Sequence, residues 1–416
     1  MKVLLTIPLL FLNFFADAQN IDVKNWLNQN SINLEKLNVN QEFKIDEKLL
    51  SKEFRNAKIF GFGEATHHNK EFFDLKSMFF KYLVLNQGVR IFVLEESFGA
   101  THDINEYING KEGNLRNLIK DFRQHIWKTE EMFTLIEWMK NYNSSQPSNN
   151  RICFYGNDCM FNYRLATIIK EKLQECKIAT DEQQNEVLEY FSKEIFSLKD
   201  YSNFDNSTIS QARKLVSDIK SNSNSNSDLI LVVESFSNYL DFLVNPTQTT
   251  RDKCMARLIE KIYEKSDEKI FIWAHNEHIK KTSLFKENVP SMGNHLSKKY
   301  SSNYYSMGFE FGIGTLLGYN QKEKKWENNV LNEPVKNTNS DFLFTSESEV
   351  FYFDFNIAKL NLSMKNFIEQ KRNYVVIGGY GFNPKYLKFQ IASEKYSEMF
   401  DGLIYVKKLS RSTPLK

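Results

Sequence analysis

The sequence predicts an α/β protein in which helices flank a largely parallel central sheet. Short, continuous apolar runs recur along the chain, and stretches with helical spacing separate them. Runs of this length and composition are typical of strands that are buried on both faces, as the strands of a parallel sheet are. The predicted strands are Lys58–Gly63, Arg90–Leu94, Arg151–Gly156, Lys269–Ala274, Tyr304–Phe311, Asn373–Gly378 and Gly402–Val406.

Helical spacing is clear in two of the segments between these runs. Phe72, Leu75, Phe79 and Tyr82 fall on one face of a predicted helix. A second helix is predicted from Thr129 to Tyr142, because Thr129 and the acidic residues after it suit a helix start. These segments lie between predicted strands, as the crossovers of a parallel sheet require.

Strand patterns give way to helical ones between about residues 160 and 268. Helical stretches are predicted at 165–176, 185–196, 209–221 and 229–243. We interpret this region as a helical insertion or lid subdomain that shapes a substrate cleft. Helices that simply cover one face of the sheet would explain the same pattern.

Composition and charge exclude several classes of protein. The chain has 416 residues, and its 54 basic and 52 acidic residues give a formal net charge of +2. This balance does not predict a nucleic-acid partner, which would favour a strongly basic surface. Beyond the N-terminus no apolar run approaches the roughly 18 residues that a membrane-spanning helix needs.

The N-terminus has the features of a signal peptide. Lys2 precedes an apolar stretch over Val3–Phe15, and Ala16-Asp17-Ala18 supplies small residues for cleavage. We therefore expect a periplasmic or secreted protein. The predicted organisation is a signal peptide at 1–18, the N-terminal part of an α/β hydrolytic core at 19–160, a mainly helical insertion at 161–268 and the C-terminal part of the core at 269–416.

The chain has four cysteines, too few for a disulfide scaffold. Cys153 and Cys159 are close enough in sequence to bridge across a tight turn. The sequence alone does not determine whether this bridge forms, because that depends on the Cα separation of the two cysteines.

Polar residues follow several of the predicted strands at their C-terminal ends. In an open parallel sheet, ligands bind in the crevice beyond these ends. The recurrence at several strands predicts a shared polar site. Its candidate residues are Glu64, His67, Glu95, Asp158, His275, His278 and Glu310.

Proton transfer is the chemistry that such a cluster favours. A histidine with a pKa near ~6.5 can accept a proton from water at neutral pH, and a nearby carboxylate would orient its ring. Glu64 lies three residues before His67, and Gly61 and Gly63 permit a close backbone approach. His67 is therefore the candidate general base.

Other mechanisms lack their sequence signatures. The chain has no G-x-S-x-G nucleophile elbow, no phosphate-binding loop and no H-E-x-x-H motif. His275 and His278 could ligate a metal together with Glu64, His67, Glu95 or Asp158. Because that signature is incomplete, we expect neither a metal nor a cofactor.

Several ordered motifs resemble the erythromycin esterase family. The resemblance extends through much of the chain after the predicted signal peptide. The matching segments are Gly63–His67, Glu71–Phe73, Leu94-Glu95, Trp127–Glu131, Glu137–Met139, Tyr155–Asp158, Arg251–Lys253 with Met255, Trp273–His278, Gly308–Gly312 and Phe400–Ile404.

The resemblance implies a hydrolase that opens the lactone ring of a macrolide antibiotic without a covalent intermediate and so confers macrolide resistance. The family's catalytic histidine corresponds to His67, and its carboxylate partners correspond to Glu64 and Glu95. Its later histidines correspond to His275 and His278, which would polarise the lactone carbonyl or hold the water. Family members are generally regarded as independent of metals.

The resemblance and the strand-end pattern together give four candidate substrate-binding residues. Lys76 stands where the family has a basic residue, often an arginine, and an ammonium cannot make a guanidinium's bidentate contact. His68 also departs from the family pattern, and both departures bear on the substrate more than on the reaction. With Lys76, we expect Trp127, Asp158 and Glu310 to bind the substrate, a macrolide or another lactone.

Two other functions remain open from the sequence. One is a metal-dependent hydrolase of another ester or amide, with His67, His275 and His278 as ligands. The other is a non-catalytic protein that binds haem or another small molecule. The sequence leaves the oligomeric state open.

Overall fold

A nine-stranded sheet forms the centre of the fold. The computed structural model describes residues 20–35, 43, 45–193, 205–222, 227–285 and 288–416, so the predicted signal peptide lies outside the described residues. No helix among them is long and apolar enough to cross a membrane. The strands are β1 Ile32–Asn33, β2 Ile59–Phe62, β3 Val89–Ser97, β4 Cys153–Asp158, β5 Lys269–Trp273, β6 Tyr304–Asn320, β7 Lys325–Leu331, β8 Val350–Asp354, β9 Lys371–Val375, β10 Ile391–Lys395 and β11 Gly402–Leu409.

Helices connect the strands and pack on the sheet. They are α1 over residues 20–30, α2 Lys52–Asn56, α3 Lys70–Gln87, α4 Phe98–Ile108, α5 Leu115–Lys120, α6 Glu130–Ser144, α7 Leu165–Glu175, α8 Glu182–Phe191, α9 Asn206–Asn222, α10 Ser227–Val244, α11 Gln248–Ser266, α12 Asn276–Ile279, α13 Met292–Tyr300, α14 Asn339–Leu343, α15 Phe355–Ala358, α16 Leu362–Glu369 and α17 Tyr396–Met399. At the start of α6, the Thr129 side chain accepts a hydrogen bond from the backbone N–H of Met132.

The prediction of a largely parallel α/β sheet is confirmed. The strand order is β1-β8-β11-β6-β2-β5-β3-β4, with β7 paired to β6. All neighbours from β11 to β4 are parallel, whereas β1, β8 and β7 pair antiparallel. One strand prediction is wrong in its placement, because the run at Asn373–Gly378 contributes to β9, which pairs with β10 in a separate two-stranded sheet.

The two faces of the sheet are packed into two hydrophobic cores. Residues alternate between the faces along each strand, so Ile59 joins one core while Phe60 and Phe62 join the other. The second core is rich in aromatic rings from α3, including Phe72 and Phe79. Because both faces are covered, the polar residues of the central strands become accessible only near the strand ends.

The segment between β4 and β5 is helical, from α7 to α11. Its apolar residues, among them Leu165, Phe236 and Ile259, share one core with Ile91 and Ile270 of the central strands. The helices therefore pack on one face of the sheet. The boundaries of the helical insertion stay a prediction, as does its role as a lid.

Gly63 is required by the close approach of Asn276. A Cβ atom at Gly63 would lie 2.1 Å from Oδ1 of Asn276. The side-chain amide of Asn276 also binds β6: it donates to the carbonyl of Phe309 at 2.7 Å and accepts from the N–H of Phe309 at 3.1 Å. The expected role of Gly63 in close packing thus has a specific partner.

We expect Gly63→Ala to destabilise the protein by about 1–3 kcal/mol, because the added methyl group forces Asn276 away from Phe309. Urea unfolding measures the change in free energy. Gly378→Ala is the matched control, since no heavy atom lies within 4 Å of a Cβ built there. Equal stabilities of the two variants would contradict this account of Gly63.

Candidate active site

The candidate site lies where four adjacent parallel strands end. β2, β5, β3 and β4 are neighbours in that order, so their carboxyl ends meet along one edge of the sheet. His67 follows β2 and His275 follows β5, whereas Glu95 and Asp158 belong to the last residues of β3 and β4. The tertiary structure thus brings together residues that the sequence placed at separate strand ends.

The Glu64 carboxylate is the centre of one half of the site. Its Oε1 pairs with Nδ1 of His67, and its Oε2 pairs with the Lys76 ammonium. The indole N–H of Trp273 also donates to Oε2 at 3.2 Å. Burial opposes ionisation, but Lys76 and His67 outweigh it and lower the pKa of Glu64 to about 2.

His67 keeps one ring nitrogen available. Glu64 engages Nδ1, and no residue that the structure describes hydrogen-bonds to Nε2. The ring lies 5.1 Å from that of His275 and 6.2 Å from that of Trp127, between centroids. Its side chain is 9% exposed, so the surrounding rings fix the imidazole but leave part of it accessible to solvent.

A second network of charges surrounds Glu95. Nη2 of Arg251 donates to Glu95 Oε1 at 2.8 Å and to Asp158 Oδ2 at 2.7 Å. The other oxygen of Glu95 accepts the backbone N–H of His275 at 2.9 Å. Burial opposes ionisation of Glu95, but His278 and Arg251 outweigh it and hold its pKa well below the usual range.

His278 is a cation within this network. Its Nδ1 donates to Asp252 Oδ1 at 2.9 Å, and its Nε2 lies 3.3 Å from Glu95 Oε1. Burial disfavours the cation, but Asp252 and Glu95 outweigh burial and raise the pKa of His278 to about 10. Nη1 of Arg251 also lies 3.1 Å from Nε2. Protein groups therefore engage both ring nitrogens, and His278 presents no free nitrogen that could act as a base.

His275 is held as a neutral ring by backbone groups. Its Nε2 donates to the carbonyl of Ile377 at 3.0 Å, and its Nδ1 accepts the N–H of Glu277 at 3.2 Å. Burial and the nearby His67 lower the pKa of His275 to about 3. The nitrogens of both rings are thus engaged by protein groups, and the expected role of His275 and His278 in polarising a carbonyl stays a prediction.

Three of the four residues expected to bind substrate have partners within the protein. Lys76 pairs with Glu64, the Trp127 indole donates to the Glu95 carbonyl at 2.8 Å, and Asp158 binds Arg251. All three are buried. Their contacts position the site residues, and their expected contact with substrate stays a prediction.

Glu310 does not join the site. Its carboxyl group interacts with the nearby Tyr396, and burial raises its pKa to about 8. Its strand neighbours Phe309 and Phe311 pack in the core that also holds Phe72, whereas Tyr396 belongs to the core on the other face. Strand alternation turns the Glu310 side chain to the face opposite Phe309, so it lies apart from the other candidate residues. Its expected contact with substrate stays a prediction.

Arg251 and Asp252 are site residues that were not predicted from the sequence. Both belong to α11, in the segment interpreted as a lid, and both are buried. The resemblance included the Arg251–Lys253 motif, which was the available signal. Gln124 was also missed, although its amide donates to Asp158 at 2.9 Å.

The described residues do not form a metal-binding cluster. No group of three or more His, Cys, Asp or Glu side chains in this part of the chain is arranged to hold a metal ion. His275 and His278, the pair considered from the sequence, have their nitrogens engaged by protein groups. The arrangement fits proton transfer by His67 better than metal ligation by the later histidines.

A cavity of about 400 Å³ lies beside the residue that follows His67. His68, His125, Trp326 and Arg411 line it, with others. Nε2 of His68 lies 3.2 Å from Nε2 of His125. The cavity offers aromatic and polar surface next to the segment that carries the candidate base.

The family described as erythromycin esterase matches residues 84–409. This chain belongs to the erythromycin esterase family. The matched range contains Glu95, Asp158, Arg251 and both later histidines, while Glu64, His67 and Lys76 precede it. Family membership and fold support a hydrolase that acts on a small-molecule substrate.

Similar proteins include one named erythromycin esterase type II from Escherichia coli. It is 23% identical over 415 residues, and the alignment covers 88% of this chain and 93% of the relative. A Bacillus cereus protein of known structure has a TM-score of 0.81 at 19% identity, with 95% of this chain and 99% of that chain covered.

Two further solved structures share the fold. A protein described as a succinoglycan biosynthesis protein has a TM-score of 0.80 at 22% identity, covering 95% of this chain and 99% of its own. A mutant of the erythromycin esterase EreC in its open conformation has a TM-score of 0.63 at 17% identity, with 91% and 98% covered.

We expect Arg251→Met to destabilise the protein by about 3–5 kcal/mol, because it leaves Asp158 buried without its cation and removes one of the two cationic partners of Glu95. Chemical denaturation measures the loss. Arg213→Met is the control, since the Arg213–Asp241 ion pair is partly exposed and is expected to contribute no more than about 1 kcal/mol. A similarly small loss for Arg251→Met would show that the buried network tolerates an unpaired carboxylate.

The stability that His278 contributes should depend on pH. Its raised pKa means that the contribution is complete below the unfolded value near 6.5 and is lost as the pH rises through about 10. The difference in unfolding free energy between the wild type and His278→Gln should therefore narrow between these pH values. Lys76 and other titrating groups are present in both proteins, so their pH-dependent contributions to the unfolding free energy cancel to first order. A difference independent of pH would mean that His278 is not a cation in the folded state.

Proposed function

We propose that this protein is an esterase that opens a lactone ring, with His67 as the general base. The observation that carries the proposal is the difference between the three histidines at the strand ends. His275 and His278 have both ring nitrogens engaged, whereas His67 is anchored at Nδ1 and keeps Nε2 available. A base must reach its proton directly, and His67 alone of the three presents a nitrogen that can do so.

The proposed reaction begins with a water molecule at Nε2 of His67. The ring removes a proton as the water oxygen attacks the lactone carbonyl, and the imidazolium then forms beside Glu64. The carboxylate accepts the Nδ1–H and stabilises the developing positive charge. Collapse of the tetrahedral intermediate releases the ring alkoxide, which takes the proton back from Nε2. One water is consumed, and no residue forms a covalent intermediate.

Lys76 tunes this base through Glu64. The ammonium neutralises part of the charge of Glu64 through Oε2, while Oε1 of the same carboxylate orients the ring of His67. Glu95 supplies a second negative charge, and its interaction with His67 contributes to its own lowered pKa. The proposed base thus operates between two buried carboxylates, each of which also has a cationic partner.

We propose a macrolide as the substrate, so that hydrolysis confers macrolide resistance, and we propose that the protein is exported to the periplasm or secreted. Membership of the erythromycin esterase family and the E. coli relative named erythromycin esterase type II support the substrate class. The signal-like N-terminal sequence supports export.

Incubation of the purified protein with macrolides of different ring size, followed by mass spectrometry, tests the proposal. Ring opening adds one water to the substrate mass. We expect His67→Ala to abolish turnover and Glu64→Gln to lower it by more than about 10²-fold, because the first removes the base and the second its orienting charge.

The control is His102→Asn, since His102 lies on α4, where it pairs with Asp103 outside the candidate site. This variant should retain turnover. Activity in His67→Ala would remove the proposed base, and hydrolysis of simple lactones without macrolides would retain the reaction but change the substrate. Loss of activity after dialysis against a chelator, restored by added metal, would favour the metal-dependent alternative.

A further inference from the structure

Two buried cysteines lie next to the residues of the Arg251 network. Cys159 directly follows Asp158 at the end of β4, and Cys254 lies one helical turn after Arg251 on α11. Both side chains are almost completely buried, at 4% and 2% exposure. All four cysteines are free in the structure, so the bridge between Cys153 and Cys159 that the sequence left open is not formed.

Cys159 and Cys254 pack in the same part of the core. They form a small apolar cluster with Phe242, against which Met160 packs. Cys153, in contrast, is only partly buried and lies at the other end of β4. The cysteine that shares this cluster with Cys159 therefore comes from 95 positions later in the sequence.

The pair of cysteines joins the same two segments as the Arg251–Asp158 ion pair. Arg251 reaches Asp158 with Nε at 3.2 Å and Nη2 at 2.7 Å. Cys159 lies one residue beyond Asp158 and Cys254 one turn beyond Arg251, and the two cysteines belong to one buried cluster. A covalent bond there would hold the end of β4 against α11 and so maintain the geometry of the ion pair.

The surroundings differentiate the two thiols. The nearby Cys159 and Arg257 lower the pKa of Cys254 despite its burial, and Nη2 of Arg257 lies 3.6 Å from the sulfur. Burial and the nearby Cys254 raise the pKa of Cys159. Cys254 is therefore the more readily ionised thiol and the better placed to begin thiol–disulfide exchange.

We propose that Cys159 and Cys254 form a disulfide bond under oxidising conditions and that this bond fixes α11 to the end of β4. With oxidised glutathione as the oxidant, the Cys254 thiolate attacks one of its sulfurs and displaces one glutathione thiolate. Cys159 then loses its proton, attacks Cys254 of the mixed disulfide and displaces the second. The protein loses two protons and two electrons, and one oxidised glutathione becomes two reduced molecules.

The bond would stabilise the protein by restricting the unfolded chain. It closes a loop that contains α7 to α10, and a loop of about 95 residues is in the range where the effect on the unfolded state is large. For a chain of this length, the expected rise in Tm on oxidation is roughly 5 °C. The proposal is independent of the hydrolytic activity.

The test uses the full-length protein, incubated with a mixture of oxidised and reduced glutathione in urea just below the unfolding transition, so that buried thiols become accessible. The protein is then denatured, alkylated and weighed. We expect two alkylated cysteines, Cys153 and Cys176, and a proteolytic fragment that links Cys159 to Cys254. Four alkylated cysteines, or a link between any other pair, would overturn the proposal.

Matched variants separate a covalent bond from simple packing of the thiols. Cys153→Ser with Cys176→Ser should retain the link and a Tm that falls when reductant is added. Cys159→Ser and Cys254→Ser should each abolish the link and the effect of reductant on Tm. A Tm of the wild type that does not respond to reductant after oxidation would show that the pair only packs.

Discussion

The site depends on the hydrogen bonds that the Glu64 carboxylate accepts from three side chains. The donors are Nδ1 of His67, the ammonium of Lys76 and the indole N–H of Trp273, which belong to the β2–α3 segment, α3 and β5. A buried carboxylate without partners would take up a proton, because desolvation disfavours its charge. The partners keep it ionised, and the same contacts fix the ring of His67. The same contacts thus compensate the buried charge of Glu64 and orient the base.

The second network extends the same principle to residues that are distant in sequence. Arg251 compensates Glu95 and Asp158, and Asp252 compensates His278. Burying ions in this way is costly, and partners recover that cost only when every ion is paired and hydrogen-bonded. The network joins β3, β4, the β5–α12 segment and α11, so the helical segment contributes to the site as well as to the core. In this respect the segment belongs to the same packed unit as the sheet.

The histidines show how surroundings assign different states to identical side chains. Backbone groups hold His275 neutral, two carboxylates hold His278 as a cation, and Glu64 anchors His67 at one nitrogen. A motif such as His275-x-x-His278 suggests paired action, but the two rings have different partners and different charges. The chemical role of a histidine therefore follows from what its second nitrogen contacts.

The sequence by itself determined the parallel sheet, most of its strands and the edge at which the site lies, because continuous apolar runs and the polar residues after them are local patterns. It also determined the pair of Glu64 and His67, which are three residues apart. Only the tertiary structure decided that Arg251 reaches Glu95 and Asp158 and that Ile377 engages His275, since these contacts join residues about a hundred or more positions apart. It likewise decided that Glu310 faces away. Alternation along β6 implied that Glu310 and Phe309 point in opposite directions, but the packing of α3 on the Phe309 side determined which face each one occupies. Local patterns fix periodicity, whereas the choice of partner depends on which distant surfaces pack together.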